Sequence, residues 1–407
     1  MEESSVRTYG YRWIALLAFS LVQGIMQILW VSFAPITGEA ALFYQVTPLQ
    51  IGFLSMVFMI VYIFVSIPAS WAIDTFGIRK GVGFGAVLMG VFGMTRGLFA
   101  NNYTLVLLST IMISVSQPFI LNSVTAMTAR WFPITERATA AGIAVLFQFL
   151  GIIAAMALAP YLFMKFGIPG MLNIFGAVSV LGAVVFLVLV KERPPSPPGP
   201  EDEAQKALVF EGLKHIFRQR DMIILIAVFF IGLGIFNAVT TWIEQMIAPR
   251  GFSITQAGAL GAAMMVAGIV GAVVIPLLSD RLRKRRPFVI AALVGACPGL
   301  IGVTFATGYP TLILSGVCLG FFLLGGAPVI YQYSAEVSRP APEATSQGLL
   351  MLAGQISGIL FIFGMDLFRS ESGAMTPFLL VLIGLSVLNV IIAGLMKESA
   401  LVKGGKD

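Results

Sequence analysis

Long apolar runs alternate with short polar connectors along almost the whole chain. Most runs reach about 20 residues, the length that an α-helix needs to cross a hydrocarbon core of about 30 Å. None alternates apolar and polar residues with a period of two, so helices are favoured over barrel strands. The pattern predicts twelve spans, at about residues 12–37, 49–73, 81–98, 104–129, 138–165, 168–190, 222–247, 255–279, 287–306, 310–337, 344–368 and 375–396.

The amino-acid composition supports a membrane protein. Hydrophobic residues make up 58% of the 407 residues and charged residues only 11%, against roughly 25% in an ordinary soluble domain. Metal chemistry is disfavoured, because the two cysteines lie in apolar runs and the single histidine, His215, lies in a polar connector. We therefore predict no metal site and no cofactor, and no enzyme activity, since no cluster of reactive side chains is visible.

The basic residues lie mainly on one side of the predicted membrane. Of the 25 lysines and arginines, 21 fall on the side of the termini and the central connector; the exceptions are Arg96, Lys165, Arg250 and Arg369. Such asymmetry predicts an even number of spans with both termini in the cytoplasm. The net charge of +6 follows from this topology, so no nucleic-acid partner is predicted. We expect a multi-pass protein of the cell membrane.

A polar connector divides the chain into two halves. We predict an N-terminal six-helix half at 1–190, a cytoplasmic linker at 191–221 and a C-terminal six-helix half at 222–407. The linker begins with a proline-rich stretch, which favours an extended conformation. Its second part, from Ala207 to Arg220, has the apolar spacing of an amphipathic helix on a membrane surface.

A charged turn between two spans occurs twice. The copies run from Pro68 to Lys80 and from Pro276 to Lys284, and their aspartates are 206 positions apart. A fixed offset predicts two copies of one unit. An ion pair at a helix end is readily made in one conformation and broken in another. The predicted gating residues are Asp74, Gly77, Arg79, Asp280 and Arg281, whereas Lys80 and Arg285 are interpreted as charges that only orient the spans.

The first turn resembles the signature turn of the major facilitator superfamily, which joins helices 2 and 3 and recurs in degenerate form between helices 8 and 9. Here Pro68 stands where glycine is usual, and the second copy has Leu282-Arg283 in place of the turn glycine. The resemblance implies an all-α membrane protein of twelve transmembrane helices in two pseudo-symmetric six-helix halves, the major facilitator fold.

A narrower resemblance covers the predicted spans 4, 5, 10 and 11. Its motifs are Gln117-Pro-Phe-Ile-Leu-Asn122, Gln148-Phe-Leu-Gly151, Ser346-Gln-Gly-Leu-Leu350 and Gln355-Ile-Ser-Gly358. They are similar to the feline leukaemia virus subgroup C receptor family, which transports haem, choline and ethanolamine. The resemblance implies that Gln148 and Gln355 line the substrate site. Ile28 and Asn237 stand where that family places an aromatic residue, with Trp30 two positions after Ile28.

Polar and aromatic side chains also recur at mid-span in the chain itself. A polar residue inside a membrane is costly and usually faces a bundle interior or a pathway. Spans 1, 4, 7 and 10 occupy equivalent positions in the two halves, where a central site is expected if the halves rock. With the two glutamines of the narrower resemblance, the predicted substrate-binding residues are Gln27, Trp30, Gln117, Asn122, Gln148, Asn237, Thr240, Tyr331, Gln332 and Gln355.

One acidic residue, Glu244, lies in the outer part of span 7. Burial raises the pKa of a carboxyl group and allows it to carry a proton. A position near the span end favours an outer gate instead, so proton coupling and gating both stay open.

These features predict a secondary transporter, a uniporter or an ion-coupled carrier, that moves a small organic solute by alternating access. An organic cation such as a choline-like amine is the candidate solute. The alternatives are a lipid or lysolipid flippase and a non-transporting membrane receptor. The predicted partners are a small-molecule substrate and membrane lipid, and the protein is expected to be a monomer.

Overall fold

The structure is a computed structural model that describes residues 9–133, 136–195, 216–338, 343–371 and 373–398. The chain forms two compact units. The first contains residues 1–33 and 39–205, and the second contains 34–38 and 206–407. The predicted amphipathic helix of the linker falls largely outside the described residues.

The first unit contains seven helices among the described residues, and long apolar sequences form most of them. The short helices α2 and α6 continue the long helices α1 and α5 after a break. The bounds are α1 Tyr11–Val31, α2 Thr37–Tyr44, α3 Pro48–Phe76, α4 Ile78–Leu98, α5 Tyr103–Leu121, α6 Val124–Trp131 and α7 Arg137–Leu189.

The second unit follows the same plan. The short helix α9 continues α8, and five further long helices follow within the described residues. The bounds are α8 Arg220–Thr241, α9 Ile243–Ile247, α10 Ile254–Leu282, α11 Arg286–Phe305, α12 Tyr309–Val337, α13 Glu343–Leu367 and α14 Thr376–Gly394.

Eleven helices of the described chain are long and apolar enough to cross a membrane. The longest, α7, has 53 residues and is interrupted at Gly167, where φ is 66° and ψ is −178°. A helix of that length would extend about 80 Å, far more than one hydrocarbon core of about 30 Å. Glycine tolerates the positive φ, so α7 comprises two spans and the twelve predicted spans are confirmed. The fold class is confirmed as well.

The internal repeat extends to the helix starts. Thr47 caps α3 in a reciprocal capping box with Gln50, and Ser253 caps α10 in the same way with Gln256. In each box the hydroxyl accepts a backbone N–H three residues on while the glutamine accepts the N–H of the cap. Both pairs repeat at the 206-residue offset of the charged turns.

Close helix contacts through glycine set the geometry of the first unit. A Cβ atom on Gly24 would lie 2.8 Å from the carbonyl oxygen of Phe147, and one on Gly151 would meet the backbone of Gly24 still more closely. Small residues allow helix backbones to approach in membranes. This contact holds α1 against the first half of α7, beside the predicted site residues Gln27 and Gln148.

Candidate functional site

Three predicted substrate residues of the first unit are buried with a polar atom that has no partner. Gln27, Trp30 and Gln117 are only 6–8% exposed. The Oε1 atoms of the two glutamines and Nε1 of Trp30 make no hydrogen bond with any described residue. An unsatisfied buried polar atom costs about 1–3 kcal/mol. These three unpartnered atoms lower the stability of the fold. Retention of such a cost is typical of a binding site.

The neighbouring Gln23 shows the opposite arrangement. Its Nε2 donates to the carbonyl oxygen of Ile120 at 2.6 Å, and its Oε1 accepts from Nε2 of Gln148 at 3.0 Å. Gln23 therefore joins α1 to α5 and α7. Gln148, half-buried on α7, uses its amide N–H for this contact.

Asn122 is also held by neighbouring side chains. Its Oδ1 accepts the hydroxyl of Tyr62 at 2.9 Å, and its Nδ2 donates to Ser66 Oγ at 3.0 Å and to Ser70 Oγ at 3.1 Å. This network fastens the end of α5 to α3. The structure brings Asn122 into a helix contact rather than leaving its amide available.

Arg96 fixes the C-terminal end of α1. Its guanidinium is 1% exposed and donates to the carbonyl oxygen of Leu29 at 3.1 Å and to Ser32 Oγ at 3.2 Å. Cations are favourable at helix C-termini, where carbonyl groups lack partners. The contacts bracket Trp30, so this arginine positions the turn that carries the indole.

The predicted residues of the second unit also include one buried polar group without a partner and others that are hydrogen-bonded. Thr240 on α8 is fully buried, and its hydroxyl has no partner among the described residues. The adjacent Asn237 donates at 3.5 Å to the carbonyl oxygen of Gly354 on α13. Gln355 is half-buried on α13.

Tyr331 is half-buried on α12. Its hydroxyl lies 3.1 Å from Met351 Sδ, and its ring lies 5.1 Å from the ring of Phe229 on α8. Gln332, the next residue, points elsewhere: it is exposed and donates to Glu336 Oε1 at 3.2 Å. The side chains of Tyr331 and Gln332 therefore have different partners, although the two residues are adjacent in the chain.

Glu244 lies in α9 and is 6% exposed. Its Oε2 accepts the backbone N–H of Gly38 at 2.9 Å and Nε2 of Gln245 at 2.6 Å. Gln245 in turn accepts from Arg369 at 3.0 Å, and Arg369 lies over the ring of Trp242. Gly38 belongs to the short segment 34–38, which is counted with the second unit. The carboxylate therefore holds the start of α2, of which Gly38 is the second residue.

The first charged turn has a partner that sequence reasoning missed. Gly77 has φ 91°, and the backbone N–H groups of Ile78 and Arg79 donate to the carboxylate of Glu192 at 3.0 and 2.8 Å. Glu192 also pairs with Arg130. Asp74 is exposed, and its charge interacts with that of Arg130. The cap at the start of α4 is Glu192 rather than Asp74.

The second turn repeats this arrangement. The backbone N–H groups of Arg285 and Arg286, at the start of α11, donate to Glu398 at 2.7 and 3.2 Å. Glu192 and Glu398 are 206 positions apart. Extending the repeat along the sequence would have found both residues.

Arg285 forms ion pairs, so its interpretation as a charge that only orients the spans is wrong. It pairs with Asp280 and, at 3.1 Å, with Glu336. Burial lowers the pKa of its guanidinium, but hydrogen bonds and charge from the two carboxylates raise it above its ordinary value. Asp280 and Arg285 line a cavity of about 370 Å³ together with Gln332. The predicted gating residue Arg281 is exposed.

We predict that Glu192→Gln and Glu398→Gln each lower the free energy of unfolding by about 1–2 kcal/mol, because a carboxylate at a helix start is favourable and its bonds are charge-assisted. Thermal unfolding in detergent measures the change. Glu371→Gln removes the same charge at an exposed position and serves as the control. Equal unfolding midpoints for all three variants would contradict the assigned caps.

Comparison with known proteins agrees with this architecture. The family model "Major Facilitator Superfamily" matches residues 10–362. Solute carrier family 49 member A3 from Xenopus tropicalis is 29% identical, over 89% of this chain and 78% of that protein. Choline/ethanolamine transporter FLVCR1 from Felis catus is 30% identical, over 86% of this chain and 66% of that protein.

The fold is similar to that of a solved transporter. The crystal structure of a bacterial homologue of the human lysosomal transporter Spinster matches with a TM-score of 0.76 at 17% identity, covering 95% of this chain and 96% of that one. The family model covers most of the chain, and the twelve spans and repeated turns are those that the resemblance implied. The chain is therefore a multi-pass secondary transporter that belongs to the Major Facilitator Superfamily.

Proposed function

We propose that the protein carries a choline-like amine, a small organic cation, across the membrane by alternating access. Residues of both units bind the solute in this proposal. Those with a buried, unpartnered polar atom are the principal ones, and the other predicted residues support them. The principal residues are Gln27, Trp30, Gln117 and Thr240; the others are Asn122, Gln148, Asn237, Tyr331, Gln332 and Gln355.

The observation that carries the proposal is the pair of unpartnered amide oxygens, Oε1 of Gln27 and Oε1 of Gln117. A buried acceptor is satisfied by a solute that brings hydrogen-bond donors or positive charge. An anion offers neither and would be repelled by the same oxygens. The ring faces of Trp30 and Tyr331 attract cations as well, since an aromatic face carries negative charge density.

The relatives support the same class of solute. The name of the Felis catus protein gives choline and ethanolamine as what it transports. Similarity at this level suggests a related solute for this chain, and the buried oxygens independently favour one with positive charge. A small molecule is the substrate in either case.

We further propose that the gates lie at the charged turns and at Glu244. Asp74, Gly77 and Arg79 belong to the first inner turn, and Asp280 with Arg281 to the second. Ion pairs at such turns are suited to breaking and forming as a carrier changes state. Glu244 acts at the outer side through its bond to Gly38, a gating role that requires no proton transfer.

The orientation and assembly are also part of the proposal. The excess of basic residues at the termini and central connector supports cytoplasmic termini, with the cell membrane as the location. The 191–221 linker joins the two six-helix halves on the cytoplasmic side, and the working unit is a monomer.

We expect choline and ethanolamine to raise the thermal unfolding midpoint of the purified protein, because a ligand that binds only the folded state stabilises it. The neutral isostere of choline, in which a tert-butyl group replaces the trimethylammonium group, is the matched control. It has the same shape without the charge and is expected to give no shift. Equal shifts for choline and its isostere, or none for any amine, would overturn the proposal.

A further inference from the structure

An apolar cavity of about 50 Å³ lies within the second unit, between α8, α11 and α12. Its fourteen lining residues include Val228, Phe229, Leu293 and Phe322, and none carries a polar side chain. Such a cavity offers water no hydrogen-bond partner in its side chains, so an apolar group is the favoured occupant. Taking about 10–15 Å³ for one water-sized group, the cavity accommodates three to five carbon atoms, or about four.

The cavity adjoins the predicted solute residues of the same unit. Phe229, which lines it, contacts the ring of Tyr331 at 5.1 Å. Ala327, also in the lining, precedes Tyr331 by one helical turn on α12, and Phe236 precedes Thr240 by one turn on α8. On α8 and on α12, residues that line the cavity and these polar residues therefore lie on the same face of the helix.

The outermost side chains of α8 and α11 do not line the cavity. None of its lining residues is fully exposed, and the half-buried ones include Gly232, Leu323 and Ala327. By contrast, Ile223 on α8 and Val294 on α11 are about half exposed, at 50% and 51%, and do not line it.

We propose that this cavity is an alkyl pocket beside Thr240 and Tyr331, the proposed solute-binding residues of the second unit, so that the preferred solutes are amines bearing a short alkyl group of about four carbons. The proposal rests on the proposed function for the location of the amine head. The alkyl group displaces no hydrogen-bonded partner, and its transfer from water into the cavity is favourable in proportion to the apolar area buried.

Gly232 provides the means of testing the pocket. A Cβ atom added there would meet only Leu323 Cδ1, at 3.8 Å, an ordinary contact. Gly232→Ala and Gly232→Val therefore fill the cavity stepwise without a clash at the added carbon. Gly384 on α14 is exposed and has nothing within 4 Å of its added Cβ. Gly384→Ala and Gly384→Val are matched controls with the same change of helix propensity.

The experiment measures binding of a choline series in which one N-methyl group becomes ethyl, propyl, butyl, pentyl or hexyl. Affinity is expected to rise about threefold to fourfold per added methylene, to about 50-fold at butyl, and then to level or fall. In Gly232→Val the affinity for the butyl compound should be less than about five times the affinity for choline itself. Gly232→Ala should give an intermediate ratio of affinities. Both Gly384 variants should keep the wild-type ratio.

Three outcomes distinguish failure of the alkyl pocket from failure of the proposed amine transport. A flat series in the wild type, or a rise that Gly232→Val leaves intact, overturns the pocket. If no amine binds but n-alkanols bind with the same chain-length and Gly232 dependence, the pocket stands and the proposed amine function falls. If a diazirine-labelled phospholipid labels Phe229 or Ala327 and the butyl compound does not displace it, the pocket belongs to a lipid chain and the inference is overturned.

Discussion

Replacing Gln27 by leucine is expected to raise the free energy of unfolding by about 1–3 kcal/mol and to lower amine transport at least tenfold. The amide oxygen of Gln27 is buried without a partner, so its removal relieves a penalty of about 1–3 kcal/mol. The same oxygen is the proposed contact for the solute cation. A lost hydrogen bond to a charged group such as the ammonium of ethanolamine is worth about 1.5–3 kcal/mol, or a factor of ten or more. Choline, whose quaternary ammonium has no N–H, loses the attraction between its charge and the amide dipole. Gln117→Leu should behave alike.

Gln23→Leu is the matched control, because Gln23 lies one turn before Gln27 on the same helix. Both ends of its amide are bonded, to Ile120 and to Gln148. Its replacement leaves the amide N–H of Gln148 without this acceptor. It also removes one of two hydrogen bonds to the carbonyl oxygen of Ile120, the other coming from Ser123 Oγ at 2.7 Å. The free energy of unfolding should fall by about 1–3 kcal/mol. Thermal unfolding and liposome uptake measure the two effects. Loss of stability in Gln27→Leu would contradict its assignment to the solute.

Removing the carboxylate of Glu244 is expected to lower transport about tenfold at every pH. Glu244→Ala deletes the acceptor for the N–H of Gly38 and for Gln245, and charge-assisted bonds of this kind contribute about 1.5–3 kcal/mol. Glu244→Gln retains an acceptor oxygen for Gly38 and should lower transport only about threefold. Uptake across a pH series in proteoliposomes measures both variants.

The comparison of the two variants separates gating from proton coupling. A proton carrier needs a titratable group, so glutamine would remove pH-driven accumulation as completely as alanine does. Gly38→Ala gives an independent test of the gate, because its Cβ would lie 2.9 Å from Gln245 Nε2 and 3.1 Å from Glu244 Oε1 and crowd this hydrogen-bonded pair. Loss of pH dependence in Glu244→Gln would contradict the gating role.

The span count and the two-fold repeat were predictable because lipid imposes strict requirements on sequence. A span needs about 20 apolar residues with satisfied backbone groups, so even the division of α7 at Gly167 was visible as a break between two apolar runs. The partners of the charged turns were harder to predict. Glu192 lies more than a hundred residues from the helix start that it caps, and only the shared offset with Glu398 marks it in the sequence.

The site was predictable in its composition and not in its individual contacts. Gln27 and Asn122 are both mid-span amides, and sequence spacing treats them alike. Asn122 is held by Tyr62, Ser66 and Ser70, whereas the amide oxygen of Gln27 has no partner among the described residues. The difference depends on side chains from α3 whose approach to α5 is set by packing.

The most direct test of the central claim is exchange of labelled choline by the purified protein in liposomes. External choline is expected to enter faster when the liposomes contain unlabelled choline, as in a carrier that alternates access, and the neutral isostere inside should not accelerate entry. Gln27→Leu, folded and more stable, should show at most one tenth of the wild-type rate. The account would be contradicted if the folded protein exchanged choline and ethanolamine no faster than liposomes without protein do.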